Sequence, residues 1–343
     1  MLIAGDIGGT NTRLAVYTLD GGPRSPLYEA QYASWDYPNL QTIVAHFLAE
    51  AKVEAQYAVF GIPGPVVHGR ATGTNIPWTV DEMELAQVLG LRWVRLLNDL
   101  QAIATAVPIL RADELVTLAQ GEPDPTGPIA VLAPGTGLGE AYLVWDGARY
   151  RPQASEGGHT DWAPAGEVQI ELLRFLQARY GHVSCERVCS GRGLPNIYAF
   201  LRDTGRAEEP RWLAEALAAV EDPTPLIVEA ALKRDPPVPL CQQTLEMLVA
   251  ILAAQAGNVA LHLLATGGVY LAGGMPPHLL PLLQREAFLK AFCGKGRLSY
   301  MLERIPVHVI VQPEVGRLGA AHYGLECAYS QEDDRANAAG ASR

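Results

Sequence analysis

The stretch Gly5-Asp6-Ile7-Gly8-Gly9-Thr10-Asn11-Thr12 separates two short apolar runs, residues 2–6 and 13–19, and the reading of the whole chain turns on it. The second run carries the β-branched and aromatic residues of a strand, so the segment reads as the turn of a hairpin. Its glycines expose adjacent backbone N–H groups without Cβ crowding, its hydroxyls can donate, and Asp6 can hold a magnesium ion through water. That chemistry suits the phosphate tail of a nucleotide; the bland alternative is a type I′ turn with Gly-Gly at its tip. Arg13, on the second run, reads as a solvated surface charge.

The same pattern returns later in the chain. Residues 129–133 form an apolar run, Pro134-Gly135-Thr136-Gly137-Leu138-Gly139 a second glycine and hydroxyl loop, and 141–145 the strand after it. A dinucleotide fingerprint needs a helix in that last place, so the Rossmann reading fails on context, and no P-loop motif occurs. Between the hairpins, strand and helix alternate. A strand at 27–33 precedes helical spacing over 40–51, then comes a strand at 57–62 ended by Pro63-Gly64-Pro65. Asp81 caps a helix that stops at Gly90, and the strand 93–97 hands over at Asn98-Asp99 to a helix over 100–107. Such a handover is the carboxyl end of a strand, where α/β proteins place ligands. Asp99 could equally be the N-cap of that helix. Farther on, 168–180, 194–203, 245–265 and 316–329 read as helices, 211–240 as helices broken by prolines, and 269–272 and 307–311 as strands. The polar tail 330–343 has no periodicity and is expected to be disordered. Two phosphate-type hairpins, with Gly273-Gly274 after a further strand, form the pattern of a two-lobed, actin-like α/β fold of the ribonuclease H-like kind, with ATP bound in an interlobe cleft.

Composition agrees with two domains and excludes several classes of function. The 343 residues are 49% hydrophobic and 18% charged, enough apolar surface for two cores. With 26 Lys and Arg against 37 Asp and Glu the net charge is −11, which lacks the positive field that non-specific nucleic-acid binding needs. Five scattered cysteines without a CxxC spacing read as reduced thiols in a cytosolic protein. Cys185 and Cys189 read as buried thiols four apart on a helix. No secretory signal is expected from the first residues, and the apolar stretch 245–269 is interrupted by Glu246, Gln255, Asn258 and His262, as suits a core helix rather than a membrane span.

Taken in order, Gly-Asp-Ile-Gly-Gly-Thr-Asn (5–11), Thr-Asn-Ile-Pro-Trp (74–78), Leu-Asn-Asp (97–99), Pro-Gly-Thr-Gly-Leu-Gly (134–139), Glu-Gly-Gly-His (156–159), Gly-His-Val-Ser-Cys-Glu-Arg-Val-Cys-Ser-Gly (181–191) and Leu-Ala-Gly-Gly-Met (271–275) resemble the bacterial glucokinase family, the non-ROK branch of the hexokinase and actin superfamily, over about residues 2–327. The resemblance implies ATP-dependent phosphorylation of D-glucose on its 6-hydroxyl, in the cytoplasm, by a homodimer without nucleic-acid or membrane partners. It implies that Asn98, Asp99, Glu156, His159 and Glu186 bind glucose, with Asp99 the general base. It assigns Gly5, Asp6, Ile7, Gly8, Gly9, Thr10, Asn11, Gly135, Thr136, Gly137, Gly273 and Gly274 to ATP, and Asp6 to Mg2+ through water. Carboxylates and amides are the groups that hold a polyol, because a site built for those bonds leaves buried polar groups unpaired when an epimer binds. His159 is expected to bond sugar rather than zinc, since the cysteine cluster of the ROK site is missing.

The expected domains are 1–109 with the returning helix 316–329, and 110–315, closing on each other when sugar binds. Trp78 would either line the sugar cleft or anchor a loop. Pro134 would stiffen the second hairpin, and the unusual stretch Pro313–Gly319 would leave substrate binding untouched. Competing readings are a kinase for another hexose or with polyphosphate as donor, a sugar-responsive regulator, and a filament-forming ATPase. A regulator would carry a helix-turn-helix ahead of the first strand, and a filament ATPase would leave Glu156, His159 and Glu186 without a purpose.

Overall fold

The computed structural model describes residues 1–72 and 78–340, with side chains described through Tyr329; Thr74–Pro77 of the 74–78 motif lie outside the described residues. In chain order the first elements are β1 (Leu2–Ile7), β2 (Asn11–Tyr17), β3 (Tyr28–Ala33), α1 (Leu40–Ala51), β4 (Tyr57–Ile62), β5 (Val66–Val67), β6 (Arg70–Thr72), β7 (Thr79–Asp81), α2 (Glu82–Leu89), β8 (Trp93–Asn98) and α3 (Asp99–Ala106). Then come β9 (Leu115–Ala119), β10 (Ile129–Pro134), β11 (Leu138–Trp145), β12 (Tyr150–Ser155), α4 (Glu167–Tyr180), α5 (Leu194–Asp203), α6 (Arg211–Ala218), α7 (Thr224–Leu232) and α8 (Pro239–Leu263). The chain ends with β13 (Gly268–Leu271), α9 (Met275–Leu283), α10 (Glu286–Cys293), α11 (Ser299–Leu302), β14 (Val307–Ile310) and α12 (Val315–Gly340).

Two sheets repeat one plan. The first has the order β3-β2-β1-β4-β8, and the second runs β12-β11-β10-β13-β14 with β9 added at its edge. In each, a hairpin supplies the central strand, and two parallel strands follow beside it (β4 and β8 in one, β13 and β14 in the other). This duplicated plan is the actin-like one that the paired hairpins predicted. Residues 1–112, 141–154 and 312–343 form one compact unit, and 113–140 with 155–311 the other. The segment 141–154, expected in the larger domain, groups with the first unit.

Within the first unit, α1 and α2 cover one face of the sheet and α3 with α12 the other, burying Ile3, Phe47 and Phe60 on one side and Leu2, Tyr57 and Leu325 on the other. The helix ends follow their sequence signals. Asp81 Oδ1 accepts from the N–H groups of Met83 and Glu84, and Gly90 closes α2 in the left-handed conformation. The apolar stripe of α2 turns Leu85 inward. The second unit is built around α8, whose residues Leu245, Leu248, Ile251 and Leu252 are fully or almost fully buried. Among the described residues α8 is the one helix long and apolar enough to cross a membrane, and 67% of that apolar window is buried inside the protein. It starts at Pro239, six residues before the expected start, because proline fits the first turn of a helix.

Two further expectations are corrected here, and the choice left open at Trp78 is decided. Cys185 and Cys189 do not share an α-helix: Cys185–Arg187 is a single 3-10 turn, and glycines at 191 and 193 break the pattern beyond it. Trp78 is 5% exposed and packs in the core with Ala71, Val80 and Leu85, so it anchors its loop. The backbone stays helical through Gly340, where a patternless tail was expected from residue 330; Gln331, Glu332, Arg335 and the alanines that follow are favourable or neutral helix residues that need no apolar stripe.

The crossing of α12 over α3 depends on Gly319, where a Cβ would run into the Ala102 carbonyl oxygen. Gly319→Ala gains about 1 kcal/mol of helix propensity. It should still lower stability by roughly 1–3 kcal/mol, because a backbone oxygen in a packed interface cannot step aside. Urea unfolding of the variant against the parent protein measures the difference.

Candidate active site

The register of the first sheet brings the earliest motif beside the Asn98-Asp99 handover. Asp6 lies opposite Gly61 on β4, Gly61 opposite Leu97 on β8, and Ile62 opposite Asn98. The turn after β1 and the pair after β8 therefore sit at the same end of the sheet, two strands apart, or about 10 Å. The turn itself is tight: the Gly8 N–H donates to Asn11 O at 2.9 Å. Ser34, fully buried and given no role by its sequence, fastens this turn. Its hydroxyl donates to Gly8 O at 2.8 Å and lies 3.0 Å from Thr12 Oγ1, while its N–H reaches Thr10 O at 2.9 Å. Gly5 and Ile7 face the core. A Cβ on Gly5 would strike Leu14 and Phe60, and the Ile7 side chain is buried, so these two offer a ligand backbone alone.

The Asp6 carboxyl is raised above the usual carboxylate range, chiefly by burial, with the nearby charges of Arg13 and Arg317 opposing that rise. Arg13 corrects its sequence reading: it is no plain surface charge. It lies 3.8 Å from Asp6 and 3.7 Å from Glu314, and its Nε–H donates to Gln31 Oε1 at 3.1 Å. The stretch Pro313–Gly319 also reaches this turn: the first turn of α12 rests on Asp6, and a Cβ on Gly316 would come 3.4 Å from the Asp6 carboxyl carbon. The sequence hides both facts, since residues 6 and 314 meet through the return of the last helix.

The N-cap of α3 is Asn98, not Asp99. Asn98 Oδ1 accepts from the N–H groups of Leu100 and Gln101 at 2.9 and 3.3 Å, while its amide donates to Gly64 O at 3.1 Å. With both ends of its amide engaged, Asn98 is locked and 7% exposed. Asp99 occupies the first helical position, half-buried, where the helix dipole favours a carboxylate, and one of its oxygens shares the Leu100 N–H.

In the second unit the remaining candidates converge on the loop between β10 and β11. The N–H of Gly191 donates to Gly135 O and that of Arg192 to Thr136 O, at 2.7 and 3.2 Å, and Glu186 Oε2 accepts from the Leu138 N–H at 3.0 Å. A Cβ on Gly137 would occupy the place of the Glu186 carboxylate. From the other side comes Glu156-Gly157-Gly158-His159, whose glycines lie against Glu140 and the Leu138 carbonyl too closely for any side chain. Glu156 and His159 stay more than half exposed, with His159 Nε2 3.9 Å from Glu156. Gly273 follows β13 with φ of +83°, its Cα against Pro134 O, and Gly274 begins α9. A cavity of about 750 Å³ opens there, lined by Gly135, Thr136, Gly191, Thr224, Gly274 and Met275 among others, a volume suited to a nucleoside. Thr224 on that wall lies in no motif that the sequence offers, and Met275 belongs to the 271–275 motif, of which only the two glycines carried an assignment.

Four of the five thiols lie in the second unit and Cys327 in the first. Cys185, Cys189 and Cys241 are buried, whereas Cys293 and Cys327 are half-buried. Burial pushes the Cys185 thiol up to about 11 and that of Cys241 to about 12, and Cys189 is raised further.

The family profile described as Glucokinase matches residues 3–326. The glucokinase of Nostoc punctiforme is 41% identical over 336 residues, an alignment that spans 94% of this chain and 98% of that one. The crystal structure of glucokinase from an Antarctic psychrotroph superposes with a TM-score of 0.79 at 28% identity, covering 94% of this chain and 97% of that one. The glucokinase of Balamuthia mandrillaris, solved in complex with glucose, shares the fold at TM-score 0.75 and 22% identity, covering 94% and 92%.

A raised thiol stays protonated until pH approaches its own value, so at about pH 8 the three buried cysteines offer almost no thiolate. An aromatic disulfide reagent should therefore titrate at most Cys293 and Cys327 in the native protein, and all five thiols after denaturation.

Proposed function

The chain belongs to the glucokinase family, and from that premise we infer that it transfers the γ-phosphoryl group of ATP to the 6-hydroxyl of D-glucose with Asp99 as the base. The observation that carries the residue assignment is the division of labour at 98 and 99. Asn98 takes the cap and is locked on both sides, which leaves the Asp99 carboxylate half exposed at a strand's carboxyl end. In this reading Asn98, Glu156, His159 and Glu186 hold the sugar hydroxyls. Asp99 accepts the proton of the 6-hydroxyl as its oxygen attacks the γ-phosphorus, and ADP departs. Gly8–Asn11 and Gly135–Gly137 supply N–H and hydroxyl donors to the phosphates, with the Thr136 hydroxyl toward the γ-phosphoryl. Such transfer is mostly positioning and charge stabilisation, so donor-rich loops carry much of it. The adenosine would occupy the cavity beside Gly274.

Asp6 fits a magnesium ion held through water. Its carboxylate is half-buried at the end of β1 beside the first hairpin turn, and among the described residues no group of three or more His, Cys, Asp or Glu gathers into an all-protein metal set. Magnesium keeps several waters and shares phosphate oxygens, so one carboxylate is enough. When bound, the ion would neutralise phosphate charge. The reading also includes a cytoplasmic homodimer, with a net charge of −11 that disfavours nucleic acid and anionic membranes as partners.

The test is ADP release from Mg-ATP across a panel of hexoses. Glucose should be phosphorylated, and Asp99→Asn should reduce kcat by about 10²–10⁴-fold with a much smaller change in the sugar KM. Turnover with a different hexose alone would replace the substrate and keep the base; undiminished turnover in Asp99→Asn would remove the base.

A further inference from the structure

Glu140 is the third residue of β11, directly after the second hairpin loop, and takes no part in the chemistry above. Its side chain is 6% exposed, and burial raises its carboxyl above the ordinary range, against the opposing effect of a hydrogen bond from Gln255. That bond is the end of a chain. Lys295 Nζ donates to Asn258 Oδ1 at 2.6 Å, Asn258 Nδ2 to Gln255 Oε1 at 3.3 Å, and Gln255 Nε2 to Glu140 Oε1 at 2.9 Å. The direction of every bond is forced by the two ends, because an ammonium can only donate and a carboxylate can only accept. Neither amide can therefore flip without losing a bond, so the relay from α8 fixes where Glu140 stands.

The other carboxylate oxygen, Oε2, meets the candidate sugar loop. A Cβ on Gly157 would collide with that oxygen, and a Cβ on Gly158 would collide with the Leu138 carbonyl two residues before Glu140. The loop Glu156–His159 is thus seated directly on the start of β11. A glycine pair is required there for contact with that seat rather than for a left-handed backbone, since neither glycine has a positive φ.

We propose that Glu140 is a positioning residue for sugar binding: held by the Gln255–Asn258–Lys295 relay, it seats the loop that presents Glu156 and His159. The proposal rests on the reading of Glu156 and His159 as sugar ligands. It assigns Glu140 an effect on sugar affinity and none on the nucleotide or on the proton transfer at Asp99. Removing the seat would let the loop settle in several positions, and the sugar would have to select one of them.

Three variants and two readouts test this. Glu140→Ala removes the seat, Gln255→Met keeps volume but removes the donor that holds it, and Glu140→Gln keeps both size and an acceptor for Gln255. The first two should raise the KM for glucose about tenfold, with kcat at saturating sugar and the KM for ATP within about twofold of the parent, while Glu140→Gln stays within about threefold in all three. Hydrogen–deuterium exchange of the apo protein should quicken at residues 156–160 in Glu140→Ala and Gln255→Met without quickening in α1. A glucose KM that does not move in those two variants overturns the proposal. So does a joint loss of kcat and both KM values in Gln255→Met or Glu140→Gln, which would mark a plain structural role. Glu156→Gln separates the two layers. If it leaves the glucose KM unchanged, the reading of Glu156 falls and the seat with it; if it raises the KM and the Glu140 and Gln255 variants do not, the seat alone falls.

Discussion

Where α12 crosses α3, the Cα of Gly319 rests on the Ala102 carbonyl so closely that a methyl group has no room, and this contact governs the first unit. Both helices begin at the functional end of the sheet, so fixing their crossing fixes their first turns. The first turn of α3 carries the Asn98 cap and the Asp99 carboxylate. The first turn of α12 sets Gly316 against Asp6 and brings Glu314 within reach of Arg13. A crossing one side chain wider would move Asp99 relative to the sheet and draw Gly316 away from Asp6 on β1.

The second unit solves the same problem with polar groups. Its hairpin loop is gripped by the Glu186 carboxylate on one side and by the two glycines of 156–159 on the other, and backbone bonds from Gly191 and Arg192 tie down its tip. Buried polar contacts of this kind contribute little net stability, yet they specify one arrangement when every member is satisfied. The relay from Lys295 to Glu140 shows how that satisfaction is reached, with each amide oriented by the group behind it.

Each unit places one carboxylate near its hairpin, Asp6 half-buried in the first and Glu140 buried in the second, and desolvation raises both. Their settings differ in sign. Asp6 has the charges of Arg13 and Arg317 nearby, which oppose its rise, and that of Glu314, which adds to it. Glu140 has a neutral amide as its hydrogen-bond partner, which suits a fixed support better than a reactive group.

The sequence alone determined the class of fold, both hairpins, the alternation of strand and helix between them, the Asp81 cap and Gly90 stop of α2, and the candidate residues of both units. Those features are local: strand alternation, helical spacing, caps and glycine turns have periods of a few residues set by the backbone itself. Only the tertiary structure decided that Asn98 rather than Asp99 is the cap, that Arg13 pairs with Asp6, that Gly316 meets Asp6, that Ser34 fastens the first hairpin and that Glu140 lies against Gly157. Each of these is a contact set by packing geometry, and in most cases it joins residues tens or hundreds of positions apart with no period connecting them. The 3-10 turn at Cys185 and the helical 330–340 have another cause. Glycines beyond the cysteines outweighed a spacing of four, and helix propensity continued a helix where no apolar stripe marked it.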